Sequence, residues 1–169
     1  MKIQVPLESG LLPDHYNQYA NPANKIDDIP VVSFPIQISD VPAQTKTLAL
    51  TLLDWDAIPV GGFAWIHWIA ANIPADTTEI PADNSQNPQV AMVQGRNSTA
   101  GKIINNTNPI TAFRYNGPQP PDKNHNYRLT MFALDTKLNL KNGFWLNDMQ
   151  REMHGHIIDT AEFIIPSRN

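Results

Sequence analysis

A chain of 169 residues with 41% hydrophobic and 17% charged side chains can build one packed core, so one domain over residues 1–169 is predicted and disorder is excluded. The formal net charge of -4, from 12 basic and 16 acidic residues with no basic cluster, argues against nucleic acid as a partner. With no cysteine in the chain, disulfides, thiol nucleophiles and Cys-based metal sites are removed together.

Residues 1–12 carry one Lys but no continuous apolar stretch, so no signal peptide is read there, and no run approaches the roughly 20 apolar residues that span a bilayer. A cytoplasmic location is expected. The first 30 residues hold Pro6, Pro13, Pro22 and Pro30 among Asn, Asp and Tyr, which predicts an extended, turn-rich approach. The 15 prolines, mostly between apolar runs, extend that pattern to short strands joined by stiff loops.

Residues 46–53 (KTLALTLL) read as a strand ending at Asp54. Residues 64–72 (AWIHWIAAN) read as a second, central strand. Regular pleating would put Trp65, His67, Ile69 and Ala71 on one face and Ala64, Ile66, Trp68 and Ala70 on the other. A long Asn-, Pro-, Gly- and Thr-rich stretch follows, over residues 74–126, predicted as loop with a short strand near residues 89–93. Residues 127–135 (YRLTMFALD) form a third strand, with Tyr127, Leu129, Met131 and Ala133 on one face. After Asn142-Gly143, residues 144–154 carry Leu146, Met149 and Met153 at helical spacing, with Gly155 as the stop. Residues 157–165 read as the last strand.

Three polar clusters stand at strand ends or inside an apolar face: Asp54-Trp55-Asp56-Ala57-Ile58-Pro59, then His67 between Trp65 and Trp68, then Gly117-Pro118-Gln119-Pro120-Pro121 leading to His125-Asn126-Tyr127. Taken singly, an Asp at a strand end is more often a turn-former, a lone His in a strand more often a hydrogen-bonded core residue, and a Gly-Pro stretch a stiff turn. His154-x-His156 has too few companions at diagnostic spacing for a metal site, and no cofactor is predicted.

In sequence order, Asp54-x-Asp56-Ala57…Pro59, Phe63…His67-Trp68, Asn72-Ile73-Pro74, Gly117-Pro118-x-Pro120-Pro121 and His125-x-Tyr127 resemble the motifs of the phosphatidylethanolamine-binding protein family. Phe132-Ala133-Leu134-Asp135 and Met153-His154-Gly155-His156 resemble its bacterial branch. The resemblance implies a mainly β fold: a central antiparallel sheet with a smaller second sheet and peripheral helices. It also implies a pocket for a small anion or phospholipid head group at Asp54, Ala57, Trp65, His67, Gly117, Pro118, Pro120, Pro121, His125 and Tyr127. Two imidazoles and a phenol supply donors, loop amides near Gly117 can turn toward an anion, and Asp54 can orient a His and favour its charged form. Trp55 stands where the family has Pro, Ile58 is interposed before Pro59, and Asn126 replaces Arg, so a reshaped loop and one charge fewer beside the pocket are expected.

The leading functional reading is therefore a non-catalytic binding protein that regulates a partner; the resemblance points to kinases or proteases without naming one. A hydrolase using Asp54, His67 and His125 is the second reading, weakened by the lack of a Gly-x-Ser-x-Gly elbow, a cysteine or a metal centre. The third is a protein-interaction module with a vestigial pocket. A homodimer is expected through apolar surface at Phe144, Trp145 and Met149.

Overall fold

The apolar run TLALTLLD becomes the spine of the molecule, because six of its first seven side chains are buried and both its faces are covered. The structure, a computed structural model, describes residues 1–169. Ten strands succeed one another along the chain: β1 (Lys2–Gln4), β2 (Lys25–Ile26), β3 (Ile29–Pro30), β4 (Ile36–Ser39), β5 (Thr47–Asp54), β6 (Trp65–Pro74), β7 (Glu79–Ile80), β8 (Val93–Gln94), β9 (His125–Leu134) and β10 (Ile157–Ser167). Three helices interrupt them: α1 (Ile58–Gly61), α2 (Pro109–Ala112) and α3 (Leu146–Met153).

The large sheet has five antiparallel strands in the order β10-β9-β5-β6-β8, and a three-stranded sheet, β1-β4-β7, packs on one of its faces. Between the sheets lies the main core. Leu48, Leu50 and Leu52 of β5 meet Tyr127, Leu129, Met131 and Ala133 of β9, with Ile36, Ile38 and Ile80 of the small sheet opposite. The opposite face of the large sheet is covered by α3, whose Met149 and Met153 pack with Leu138 and Phe144 on Ala49, Ile69, Ala71 and Leu134. No helix is long and apolar enough to cross a membrane.

Strand β6 departs from the alternation its sequence predicts. Leu52 pairs with Trp68 and Leu53 with Ile66, which leaves His67 with no residue opposite it, a β-bulge. Ile66 therefore packs toward the α3 side, with Ile69 and Ala71, while Trp68 belongs to the core between the sheets. His67 follows Trp68: its ring lies 4.9 Å from that of Tyr127. A second irregularity falls where Asn72 takes a left-handed backbone (φ 58), its side chain bonding both the N–H and the C=O of Leu138.

The short strand predicted near residues 89–93 is displaced to Val93–Gln94. The Asn-rich stretch around it is held from within by buried amides. Asn84 accepts the N–H groups of Gln89 and Val90, and Asn97 donates to the carbonyls of Thr111 and Arg114. The apolar surface proposed for dimerisation is not free: Phe144 and Met149 are buried in the second core, and Trp145 lies against the Arg96 guanidinium. Helix α3 turns these side chains inward because they share its apolar stripe.

Candidate functional site

Antiparallel pairing brings the C-terminal end of β5 together with the N-terminal ends of β6 and β9. Asp54 stands opposite both Trp65 and Tyr127. At this corner a cavity of about 370 Å³ opens. It is lined by Ile29, Asp54, Ala57, Val60, Gly61, Trp65, His67, Thr99, Asn116, Gln119, Pro121, His125 and Tyr127. Seven of the ten residues picked from the sequence are thus brought together: Asp54, Ala57, Trp65, His67, Pro121, His125 and Tyr127.

Gly117, Pro118 and Pro120 are buried and do not line it. The Gly117 N–H donates to the carbonyl of Pro30 at 2.8 Å, so this amide is not available to an anion. Its lack of a side chain has another cause. A Cβ there would lie 2.6 Å from both Pro30 Cβ and the carbonyl oxygen of Tyr16, so the loop passes directly against the N-terminal segment. Gly117→Ala is expected to lower the unfolding free energy by about 2 kcal/mol through this overlap, as a denaturant titration would measure. Pro118 serves the same junction by accepting the Gln18 N–H.

The two imidazoles are in opposite states, and their hydrogen bonds say why. His125 is wholly enclosed, with Nδ1 2.7 Å from Asp54 Oδ2 and Nε2 2.8 Å from Asp122 Oδ1. Carboxylates only accept, so both ring nitrogens carry protons and the ring is an imidazolium. Burial is the largest single influence and pushes its pKa down, but the hydrogen bonds and charges of Asp54 and Asp122 together outweigh it, and the pKa is raised. Both its donors are committed. His125 therefore cannot also donate to an anion, which corrects the expectation of two imidazoles acting on one ligand.

His67 has Nδ1 2.7 Å from the carbonyl oxygen of Asn116, so that nitrogen carries the proton. The N–H of Asn116 donates in return to the His67 carbonyl. Burial pushes the His67 pKa down to about 4; the Asn116 carbonyl and Asp54 oppose the shift, and charged His125 adds to it. The neutral ring keeps Nε2 as its one nitrogen without a partner in the protein. Tyr127 stays a phenol, its pKa pushed up by burial first and by the charge of Asp54 second. The cavity thus combines a neutral ring with a free nitrogen, a phenol and an enclosed ion pair, with no Lys or Arg in its lining.

Six lining residues were not picked from the sequence, Ile29, Val60, Gly61, Thr99, Asn116 and Gln119, nor was Asp122 behind His125; of these, Asn116 and Asp122 bond the two imidazoles. Asp122 lies three residues before His125 on a half-exposed loop, a spacing that offered a signal; Asn116 acts through its backbone, which offers none. Of the two departures in the loop after β5, Ile58 begins α1, a short turn with Pro59 in its first turn and Gly62 as a left-handed cap (φ 83). At the third, Asn126, the backbone N–H donates to Asp56, tying that loop to β9. His156 Nδ1 is 2.8 Å from Asp135 Oδ1.

A family model described as phosphatidylethanolamine-binding protein matches residues 4–167. The uncharacterized Bacillus subtilis protein YxkA is 50% identical over 147 residues, covering 87% of this chain and 88% of the relative. A crystal structure of a putative phosphatidylethanolamine-binding protein homolog from Chlamydia trachomatis superposes with a TM-score of 0.79 at 27% identity, covering 99% of this chain and 97% of the other. Escherichia coli YbcL, described as a new member of the mammalian family, shares the fold at 24% identity with a TM-score of 0.74, covering 99% and 98%.

Proposed function

The chain belongs to the phosphatidylethanolamine-binding protein family, and from that membership we propose that it is a non-catalytic binding protein whose cavity takes a monoanionic head group. The observation that carries this reading is the state of His67: Nδ1 is fixed on Asn116 and Nε2 is uncommitted at a cavity wall. A carboxylate or phosphodiester oxygen arriving there cannot bond to a lone pair. It needs Nε2–H, so binding takes up a proton and makes His67 the positive partner of the anion. The Tyr127 ring stands against that of His67 in the same lining. Asp54 and Asp122 against one imidazolium leave the neighbourhood one negative charge in excess, which favours a monoanion over a dianion.

The hydrolase alternative loses His125 as a base, because both its nitrogens are held by carboxylates and the ring has no lone pair with which to accept a proton; it would rest on His67 Nε2 alone. Binding is tested by calorimetry with acetate, an anion whose charge is constant from about pH 6 to 8. Affinity is expected to fall with rising pH, by up to about tenfold per unit, the limit for one proton taken up per anion. His67→Gln is expected to remove that slope. A flat profile in the wild-type protein would overturn the reading.

A further inference from the structure

Four of the five arginines have a side-chain partner: Arg114 bonds Gln86, Arg128 lies near Glu162, Arg151 pairs with Asp148 and Arg168 with Asp14. Arg96 has none. Its Nε donates to the Gly143 carbonyl at 2.8 Å, and the rings of Phe113 and Trp145 lie 4.5 Å and 4.8 Å from its guanidinium carbon. Both terminal nitrogens are left without an acceptor in the protein. The turn that holds the group is itself fixed. The Gln94 N–H donates to Asn142 Oδ1, the Gly143 N–H to the Gln94 carbonyl and the Arg96 N–H to the Phe144 carbonyl. Gly143 has a left-handed backbone (φ 85), and a Cβ there would come within 3.2 Å of the Phe113 ring.

Arg96 and Phe113 also flank the two ends of a closed loop over residues 97–112. The Asn97 N–H donates to the Ala112 carbonyl at 2.9 Å, and side chains of Asn97, Thr99, Asn106 and Thr111 bond one another inside. With those polar groups turned inward, the loop shows isoleucines to solvent: Ile103 is 86% exposed, Ile104 49% and Ile110 42%. Ile110 stands in α2, three residues before Phe113.

We propose that Arg96 and this loop form a docking surface for a protein segment that carries one acidic side chain among apolar ones. Charge selects that occupant first. Residues 95–113 hold two ionisable side chains, Arg96 and Lys102, both cationic, in a chain of formal charge -4. Geometry selects it next. A guanidinium whose Nε is tied and whose plane is held by rings presents its terminal nitrogens as a fixed fork, which a carboxylate matches with two oxygens. A free carboxylate would gain little from a single charge that is partly exposed to water. A polypeptide that brings one can also cover Trp145, Phe113 and the isoleucines. Arginine among aromatic side chains, with no acidic residue beside it, is the composition of an interface centre. Arg96 does not line the cavity, so this docking goes beyond the anion-binding reading and does not depend on it.

Random peptides displayed on phage, selected on the wild-type protein and then titrated by calorimetry, test the proposal. The selected peptides are expected to share an Asp or Glu with apolar neighbours. Changing that residue to Asn or Gln is expected to weaken binding about tenfold, and Arg96→Lys, which keeps the charge without the fork, to weaken it as much. In Arg96→Lys the same peptide change is expected to cost less than about twofold, because the two groups act as a pair. Ile103→Asp, at a position too exposed to disturb folding, is expected to weaken binding about tenfold by itself. Acetate affinity is expected to be unchanged in both variants, which separates this surface from the cavity. A selection without binders, binders that lack an acidic residue, or equal binding by Arg96→Lys or Ile103→Asp would each overturn the proposal.

Discussion

Asp54→Ala is expected to lower the unfolding free energy by about 3 kcal/mol, the range seen when one partner of a buried ion pair is removed. The His125 imidazolium that would be left behind is fully enclosed, and Asp54 itself is almost so. Its remaining carboxylate, Asp122, is half exposed and cannot compensate in full. The substitution also frees the Ala57 N–H that bonds Asp54 Oδ1 at the entry to α1. Asp54→Asn keeps a single oxygen, for either the Ala57 N–H or the His125 Nδ1–H, and sets its NH2 against the other donor, so a loss comparable to that of Asp54→Ala is expected. The pH dependence gives an independent check. Because the folded pKa of His125 is raised, its contribution is complete below the unfolded value of about 6.5 and is lost as pH rises through the folded value. Asp54→Ala is therefore expected to flatten the alkaline limb of stability against pH. Urea titrations that leave the variant within about 0.5 kcal/mol of the parent would show that the pair is not worth its burial.

The second large effect lies on the acid side and belongs to His67. Burial holds this ring neutral, with a folded pKa of about 4, while in the unfolded chain it titrates near 6.5. The sign is opposite to that of His125. Stability is complete above about 6.5 and falls as pH drops toward 4, because the unfolded chain binds the proton first. Over that interval the loss amounts to about 3 kcal/mol from this one side chain. His67→Gln presents an amide N–H to the Asn116 carbonyl without titrating, so it is expected to lose this part of the acid slope while retaining most of the stability at neutral pH. Thermal unfolding followed at intervals between about pH 4 and 7 would measure it. Parallel curves for the two proteins would mean that His67 is charged, or hydrated, in the folded state. The two histidines thus tilt stability in opposite directions on either side of about pH 6.5.

Much of this fold was legible in the sequence because its signals are local. Residues 46–53 and 127–135 announce their strands by composition, and Met149 and Met153 announce the helix by spacing. The family motifs brought Asp54, His67, His125 and Tyr127 together from opposite ends of the chain. What could not be read depends on neighbours distant in sequence. The face taken by His67 follows from a bulge whose cause lies in pairing with β5, and alternation counted along one strand has no means of detecting it. The role of Gly117 follows from the approach of Tyr16 and Pro30, about a hundred residues earlier. The uncommitted nitrogen of His67 is decided by a backbone carbonyl, which every residue possesses and none advertises. Phe144 and Met149 carried the apolar character expected of an interface, but the same character also suits a core, and the sheet surface beneath α3 decided the matter.

The bulge in β6 makes the cavity depend on chain length as well as on residue type. His67 faces Tyr127 only because one residue more is threaded between Ile66 and Trp68 than the partner strand requires. Loss of a single codon in this stretch would restore an unbroken ladder and keep every apolar residue that matters to the core. It would also take away the imidazole, or carry it through to the α3 side. Relatives with a perfectly conserved sheet can thus differ in whether they have a ligand site at all, and the difference would show in an alignment as a one-residue gap near the N-terminal end of β6, with the motif residues on either side still intact.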